Sequence, residues 1–352
     1  MDNLTLTFKE LKFDNAKVLS FLKDKNARHT QKPDYGIEFV RTVGQYRSKW
    51  LFKIDLGSGT IRCSGGPTTT FFGFNAWVSL NEPLQMKAIV GLLHKKLAAI
   101  KGVTFPKTVD PEINRIEVTH LYPFRDIEEI RTAELAIYES LVVRYPGRVQ
   151  ISGATYEMPG TLRVGLTKSS SILRIYPEST KFLKKPSHVP QRKWTLLQNA
   201  LEHCVRVECI FSDIQLKRAG LSLASAWVRD RVDAGLRPLV DRRMKQAGLT
   251  GGVRFELEQL KECIAALPGK KPHQLVQRWI KGETAKQNGT WSKAQEIAKP
   301  YGANLTRPLE QQVRLFHGYS EYFSRNQIVV LPVQLREDKD LFNRWWEVAD
   351  TV

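Results

Sequence analysis

Cysteine, acidic side chains and long apolar runs are all scarce in this 352-residue chain, and each scarcity rules something out. Cysteine occurs four times, at Cys63, Cys204, Cys209 and Cys263, too few and too scattered for a disulfide framework. The step from Cys204 to Cys209 is wrong for a zinc knuckle, and no Cys/His pair stands nearby to complete one. Reduced thiols packed in a core are the expectation. No segment approaches the roughly 18 consecutive apolar residues of a membrane helix. The opening residues, Met1-Asp2-Asn3-Leu4-Thr5, carry neither the basic start nor the apolar core of a signal peptide. A membrane is therefore not an expected partner, and the cytoplasm is the expected location.

What is present is positive charge. There are 54 Lys/Arg against 36 Asp/Glu, a net charge of +18. Residues 160–250 alone hold 17 Lys/Arg and 7 Asp/Glu. A clustered excess of this kind is the electrostatic footprint of a polyanion, and nucleic acid is the commonest one. An anionic membrane surface fits less well, because the basic residues are not laid out along one amphipathic helix.

The chain is long enough for two domains of ordinary size. Residues 1–80 read as strands: Leu4, Leu6 and Phe8 alternate with polar residues, as do Trp50, Phe52 and Ile54, and Ile61 and the Phe71-Phe72 pair follow turns. A helix is predicted from Pro83 to Lys101, with Met86, Ile89, Leu93, Leu97 and Ile100 on one face and Gly102 as its stop. Strand Ile113–Leu121 and a helix capped by Asp126 come next. Strands near Val149–Tyr156, Leu162–Leu166 and Ile172–Tyr176 follow, the last two forming a hairpin. A basic stretch and a short helix lead into strand Cys204–Ser212. From about residue 215 the pattern turns mainly helical, with a soft boundary over 215–250. The expected architecture is α+β: a mainly antiparallel sheet with packed helices over residues 1–225, then a mostly helical domain over 226–352 that binds DNA or serves as an accessory.

One local pattern recurs on three of the predicted strands: Arg115-Ile116-Glu117, Arg174-Ile175-Tyr176 and Arg206-Val207-Glu208. Alternation along a strand puts the arginine and the residue two positions on to one face, and the aliphatic residue between them to the other. If the strands are neighbours, one face gathers three guanidinium groups, two carboxylates and a phenol. Two readings are open. In the first, the face is solvated and held by cross-strand ion pairs. In the second it cuts phosphodiesters: Tyr176 attacks, Glu117 and Glu208 hold a divalent cation such as Mg²⁺ or Mn²⁺, and Arg115, Arg174 and Arg206 hold phosphate. Attack by the phenol leaves a 5′-phosphotyrosine link and a free 3′-OH.

Read in order, these segments resemble the gene II replication initiators of filamentous phages, a family of rolling-circle nickases. Leu4-Thr5-Leu6 resembles the family's opening strand, and Pro67 through Gly73-Phe74-Asn75 its proline-then-Gly-His-Asn element. Ile113-Asn114-Arg115-Ile116-Glu117-Val118-Thr119 is similar to its "I-x-R-[IV]-[DE]-[VA]-T" strand. Leu162 to Tyr176, with Gly165 and Ser169–Ser171, resembles the segment that holds the nicking tyrosine. Cys204-Val205-Arg206-Val207-Glu208 is similar to the "[LV]-R-[FV]-E" strand, and Gly220-Leu221 follows it. The ordered set covers roughly residues 1–225.

The resemblance implies a nuclease-like core and a Mg²⁺- or Mn²⁺-dependent endonuclease of a bacterial host's cytoplasm. Such an enzyme nicks a double-stranded circular origin and rejoins displaced single strands, with host helicase and single-strand-binding protein as partners. It makes Tyr176 the nucleophile and Glu117 and Glu208 the metal ligands. Phe74 stands where the family has His, so no role is carried there. Pro177 and Glu178 replace the usual tyrosine-x-lysine neighbourhood, leaving Lys181, the first lysine, as the second catalytic candidate and Glu178 as a further possible ligand. His120 falls on the face opposite Glu117 unless a bulge intervenes, so a core or surface role is expected. Two rivals stay open: a non-catalytic DNA-binding phage regulator, and a metal-dependent nuclease that uses water.

In the carboxy-terminal third, Ser292–Ala298 and Thr306–Phe316, joined around Pro300-Tyr301-Gly302, have the spacing of a helix-turn-helix pair, with Arg307 and Arg314 on the second helix. Trp279, Trp291, Trp345 and Trp346 read as core aromatics rather than base-stacking platforms.

Overall fold

A computed structural model describes residues 2–23, 28–29, 36–44, 47–72, 82–106, 110–144, 148–152, 161–165, 172–177, 185, 187, 189–247, 249, 257–266, 269–283, 289–301, 303, 305–306 and 308–310. Among the described residues twelve strands run in chain order: β1 Leu4–Phe8, β2 Lys12–Phe13, β3 Arg28–His29, β4 Gly36–Val43, β5 Ser48–Asp55, β6 Thr60–Gly65, β7 Val103–Thr104, β8 Glu112–Pro123, β9 Val149–Ser152, β10 Thr161–Gly165, β11 Ile172–Pro177 and β12 Cys204–Ser212. The helices are α1 Asn15–Lys23, α2 Pro67–Phe72, α3 Glu82–Ala98, α4 Ile127–Arg144, α5 Gln191–Leu201, α6 Asp213–Arg218, α7 Arg229–Gln246, α8 Leu257–Ala265, α9 Lys271–Ile280 and α10 Gly289–Ala298. The chain is mixed α+β, as expected, around one large antiparallel sheet.

Ten strands form that sheet in the order β3-β4-β5-β6-β1-β8-β12-β11-β10-β9, and every neighbouring pair is antiparallel. The alternation read from the sequence decides which side chains go inward: Leu4, Leu6 and Phe8 of β1 are fully buried, as are Trp50 and Phe52 of β5. Burying each such side chain contributes about 1.5–3 kcal/mol. Trp50 lies across Gly65, where an added Cβ would come within 2.2 Å of the indole, so that position has room only for glycine. The indole N–H donates to Thr70 Oγ1 at 2.8 Å, which satisfies the buried donor.

Several predicted elements stand with small changes of length. α3 carries Pro83 in its first turn, and Gly102, at φ +88°, follows shortly after its end. Asp126 caps α4, its carboxylate accepting from the Glu129 N–H at 2.8 Å. β10 and β11 pair from Gly165↔Ile172 to Leu162↔Ile175, the predicted hairpin. β12 spans the predicted Cys204–Ser212.

The amino-terminal part is less uniformly β than its alternation implies. Asn15–Lys23 is a helix whose first turn is held by Asp14 accepting from the Lys17 N–H at 3.2 Å. Val18 and Leu22 are buried, and Leu19 and Phe21 pack partly buried against the same core, a helical spacing that the reading of residues 1–80 as strands passed over. Pro67–Phe72, read as leading into a strand at Phe71-Phe72, is also a helix. The Thr70 N–H donates to the Gly66 carbonyl at 3.0 Å to close the turn, and the Thr69 and Thr70 hydroxyls donate to the same carbonyl at 2.9 and 2.8 Å.

Buried apolar residues fall into two clusters. The larger includes the sheet and continues through Val232, Leu236, Val240 and Met244 of α7 to Leu249. The second begins at Leu260 and gathers Val276, Trp279, Ala294, Ala298 and Leu305 from α8, α9, α10 and the segment after them. Packing thus divides later along the chain than composition does. Trp279 is a core residue; Trp345, Trp346 and residues 311–316 of the predicted helix-turn-helix lie outside the described residues. Among the described residues no helix is long and apolar enough to cross a membrane. Cys63, Cys204, Cys209 and Cys263 are free thiols, the first three buried.

Candidate functional site

The three strands that share the Arg-x-Glu or Arg-x-Tyr pattern are adjacent in the sheet: β8, β12 and β11, side by side. Their registers put Arg174 opposite Glu208, Tyr176 opposite Arg206, Glu208 opposite Thr119 and Ile210 opposite Glu117. Cross-strand partners share a face, so Arg115, Glu117, Arg174, Tyr176, Arg206 and Glu208 all lie on one side of the sheet. Ile116, Val118, Ile175, Val207 and Cys209 lie on the other side and are buried. There α4 places Ile130, Ala133 and Ile137 against Ile175 and Val205.

The polar face is a connected network. The Tyr176 hydroxyl donates to Glu208 Oε1, which also accepts from Arg206 Nε at 3.2 Å. Arg174 spans the two glutamates, its Nη1 at 3.4 Å from Glu208 Oε2 and 3.8 Å from Glu117 Oε1. Arg115 Nη2 donates to Glu117 Oε1 at 2.7 Å. Arg206, wholly buried, pairs with the carboxylate of Asp2. Asp2 reaches the network because its backbone N–H donates to the Glu117 carbonyl at 3.1 Å, just ahead of β1.

Burial dominates the titration of this cluster. Burial pushes the Tyr176 phenol well above its ordinary range; the Arg206 charge opposes this, while Glu208 adds to it as charge and hydrogen-bond acceptor. Glu208 is raised as well, first by burial and then by the Asp2 charge, against the pull of Arg206. Burial acts to raise Asp2, but the charges of Arg206 and of the amino terminus, with side-chain hydrogen bonds, together hold that carboxyl below the ordinary value. The two carboxylates are thus driven apart: Asp2 stays ionised, and Glu208 has the stronger affinity for a proton.

All of the described candidates converge, so the pattern found on three separate segments is one site. Lys181 and Glu178 lie outside the described residues, as do Phe74 and Ser169–Ser171. His120 does not join: it pairs with Val207 on the opposite face, and the β8–β12 register runs without a bulge from Arg115 to Pro123. Two members escaped the sequence reading. Thr119 could have been found by following the alternation two residues past Glu117; its hydroxyl is buried with no hydrogen-bond partner among the described residues. Asp2 had no local signal, since its place depends on β1 pairing with β8.

Glu117 and Glu208 are the carboxylates expected to hold Mg²⁺ or Mn²⁺. Their oxygens are already turned toward arginines, and Arg174 occupies the space between them. Mg²⁺ demands near-octahedral oxygen ligation, and three guanidinium groups oppose a further cation there. Among the described residues no group of three or more His, Cys, Asp or Glu side chains is placed to hold a metal ion. As arranged, these residues do not fit a divalent cation; a cation-like role between the glutamates falls to Arg174.

Comparison with models of known protein families and with the curated proteins finds no match to this chain.

Proposed function

We propose that the chain nicks and rejoins DNA strands in the manner of the rolling-circle initiators it resembles, with Tyr176 as nucleophile. The observation that supports this reading best is the hydrogen bond from the Tyr176 hydroxyl to Glu208, with Arg174 and Arg206 on the same face. A phenol held neutral by its surroundings is a poor nucleophile until a base takes its proton, and Glu208 is in contact and has a raised proton affinity. In the proposed step the Tyr176 oxygen bonds to phosphorus as Glu208 takes the phenol proton. The bond from phosphorus to the 3′ oxygen breaks, and that oxygen takes up a proton from solvent. Arg174 and the half-exposed Arg115 hold the phosphate oxygens. Rejoining reverses the order: a 3′-OH gives its proton to solvent as its oxygen bonds to phosphorus, the bond from phosphorus to the Tyr176 oxygen breaks, and Glu208 returns the proton to the phenol oxygen.

Origin recognition, Lys181 as a second catalytic group, a nuclease-like core, a bacterial cytoplasm and host helicase and single-strand-binding protein belong to the same proposal. A second reading draws on the burial of the site: Tyr176 is 7% exposed and Arg206 0%. A network sealed in this way also suits a DNA-binding regulator that does no chemistry.

One assay decides. The protein is incubated with supercoiled origin DNA, with and without Mg²⁺ or Mn²⁺, and covalent protein–DNA adducts are sought. The expected result is nicking with an adduct that Tyr176→Phe abolishes. An adduct that survives Tyr176→Phe overturns the nucleophile; nicking without an adduct points to water as the attacking group, and binding without nicking to the regulator.

A further inference from the structure

Beyond the tyrosine network, a cleft of about 820 Å³ opens between α6 and α7 at the end of β12. Its walls carry four arginines, Arg218, Arg231, Arg242 and Arg243, and no carboxylate. That bias is not a property of α7 as a whole, because the helix also carries Asp230, Asp233 and Asp241. The helix sorts its charges. Arg231, Ala234, Pro238 and Arg242 recur at helical spacing and face the cleft. Asp233 instead meets Arg237, which forks onto Glu82 of α3 with N–O distances of 3.1 and 3.0 Å. Arg218, Arg231 and Arg242 are exposed and have no carboxylate within ion-pair distance among the described residues. Three unneutralised cations that converge on a groove repel one another in the absence of an anion.

We propose that this cleft holds the phosphodiester backbone of a single strand of nucleic acid. Guanidinium groups suit phosphate because their planar forks can donate two hydrogen bonds to one anion. Between the arginines lie Ile214, 54% exposed, with Pro238 and Leu239, which offer apolar contact to bases without reading them. A Cβ on Gly235 would stand 2.7 Å from the Ala219 carbonyl oxygen, so α7 meets the residue that ends α6 backbone to backbone. The apolar side chains between the arginines suit the exposed bases of a single strand, which a duplex keeps stacked and paired inside. The wall also includes Ser212, whose cross-strand partner is Arg115 of the tyrosine site. A strand lying in the cleft therefore passes Arg115, at the end of the polar face away from Tyr176. The proposal goes beyond the nicking chemistry and does not require it.

The test is fluorescence anisotropy with a labelled oligothymidylate about 20 nucleotides long, at several salt concentrations. Each phosphate contact on a single strand contributes a slope of about 0.7 in log affinity against log salt. R218Q/R231Q/R242Q is expected to lower that slope by about 2 and to weaken binding at least roughly tenfold. K95Q/K96Q/K101Q removes the same charge from exposed positions on and just after α3 and is expected to bind like the unmodified protein. The three substituted arginines are exposed, and an unchanged melting curve verifies that the variant folds. Equal losses in the two triple variants, or none in either, overturn the proposal, as does displacement of the oligonucleotide by an oligoglutamate peptide at matched charge. Tyr176→Phe is expected to bind normally. Binding that depends on the cleft without any adduct removes the nicking reading and leaves this one; an adduct whose formation and binding ignore the cleft does the reverse.

Discussion

Glu208 is the residue on which the chemistry turns, because it touches Tyr176, Arg174 and Arg206 at once. Glu208→Gln keeps the shape and still accepts a hydrogen bond, but it cannot take a proton. Adduct formation is expected to fall by about 10² or more, the usual contribution of a positioned general base. Stability should change by no more than about 1 kcal/mol, because Asp2 still neutralises Arg206 and a buried carboxylate repulsion is relieved. Chemical denaturation beside a single-turnover assay checks both halves; a large loss of stability with normal adduct yield contradicts the assignment.

Tyr176 makes a separate prediction about pH. Its phenol is raised in the folded state, mainly by burial, above the ordinary value of 10.0. The stability linked to this shift is fully present below the unfolded value and is lost as pH rises toward the folded one. Against Tyr176→Phe, the unmodified protein should therefore lose melting temperature as pH climbs past about 10. Parallel melting profiles from about pH 8 to about pH 11 would contradict the raised phenol.

At the scale of elements, the contact of α6 with α7 positions the arginine cleft, and Gly235 is its tightest point. An alanine there improves helix propensity by about 0.5–1 kcal/mol. It also drives a methyl group to 2.7 Å from the Ala219 carbonyl oxygen and 3.2 Å from Leu221 Cδ1. Overpacking of this kind costs about 1–3 kcal/mol and should win. Gly235→Ala is expected to lower stability by about 1 kcal/mol and to weaken oligonucleotide binding; a more stable protein with unchanged binding would show that the two helices part without consequence.

At the scale of the whole molecule, the two buried clusters predict how the chain can be divided. A fragment of residues 1–256 contains the sheet, the tyrosine network and all of α7, so it should melt cooperatively. A fragment of 1–225 cuts away Val232, Leu236, Val240 and Met244, each at most 3% exposed, and should fold poorly. Calorimetry of the two fragments tests the division, and equal cooperativity in both would overturn it.

Some of this was legible in the order of residues. Period-two alternation placed β1, β5, β8, β11 and β12, and the repeated Arg-x-Glu and Arg-x-Tyr triplets named six members of the polar face, because alternation within a strand is a local property. The short helix α2 was not legible in Pro67–Phe72, whereas α1 was written in the spacing of Val18, Leu19, Phe21 and Leu22 and was passed over among strands. The sequence by itself also determined the net charge of +18 and its concentration over residues 160–250. Only the tertiary structure decided that β8, β12 and β11 are neighbours, that Asp2 reaches Arg206 across 204 positions of chain, and that Arg174 sits between the two glutamates. Pairing between strands joins residues far apart in the chain, and no local pattern encodes which face a distant carboxylate will meet or which charge will reach it first.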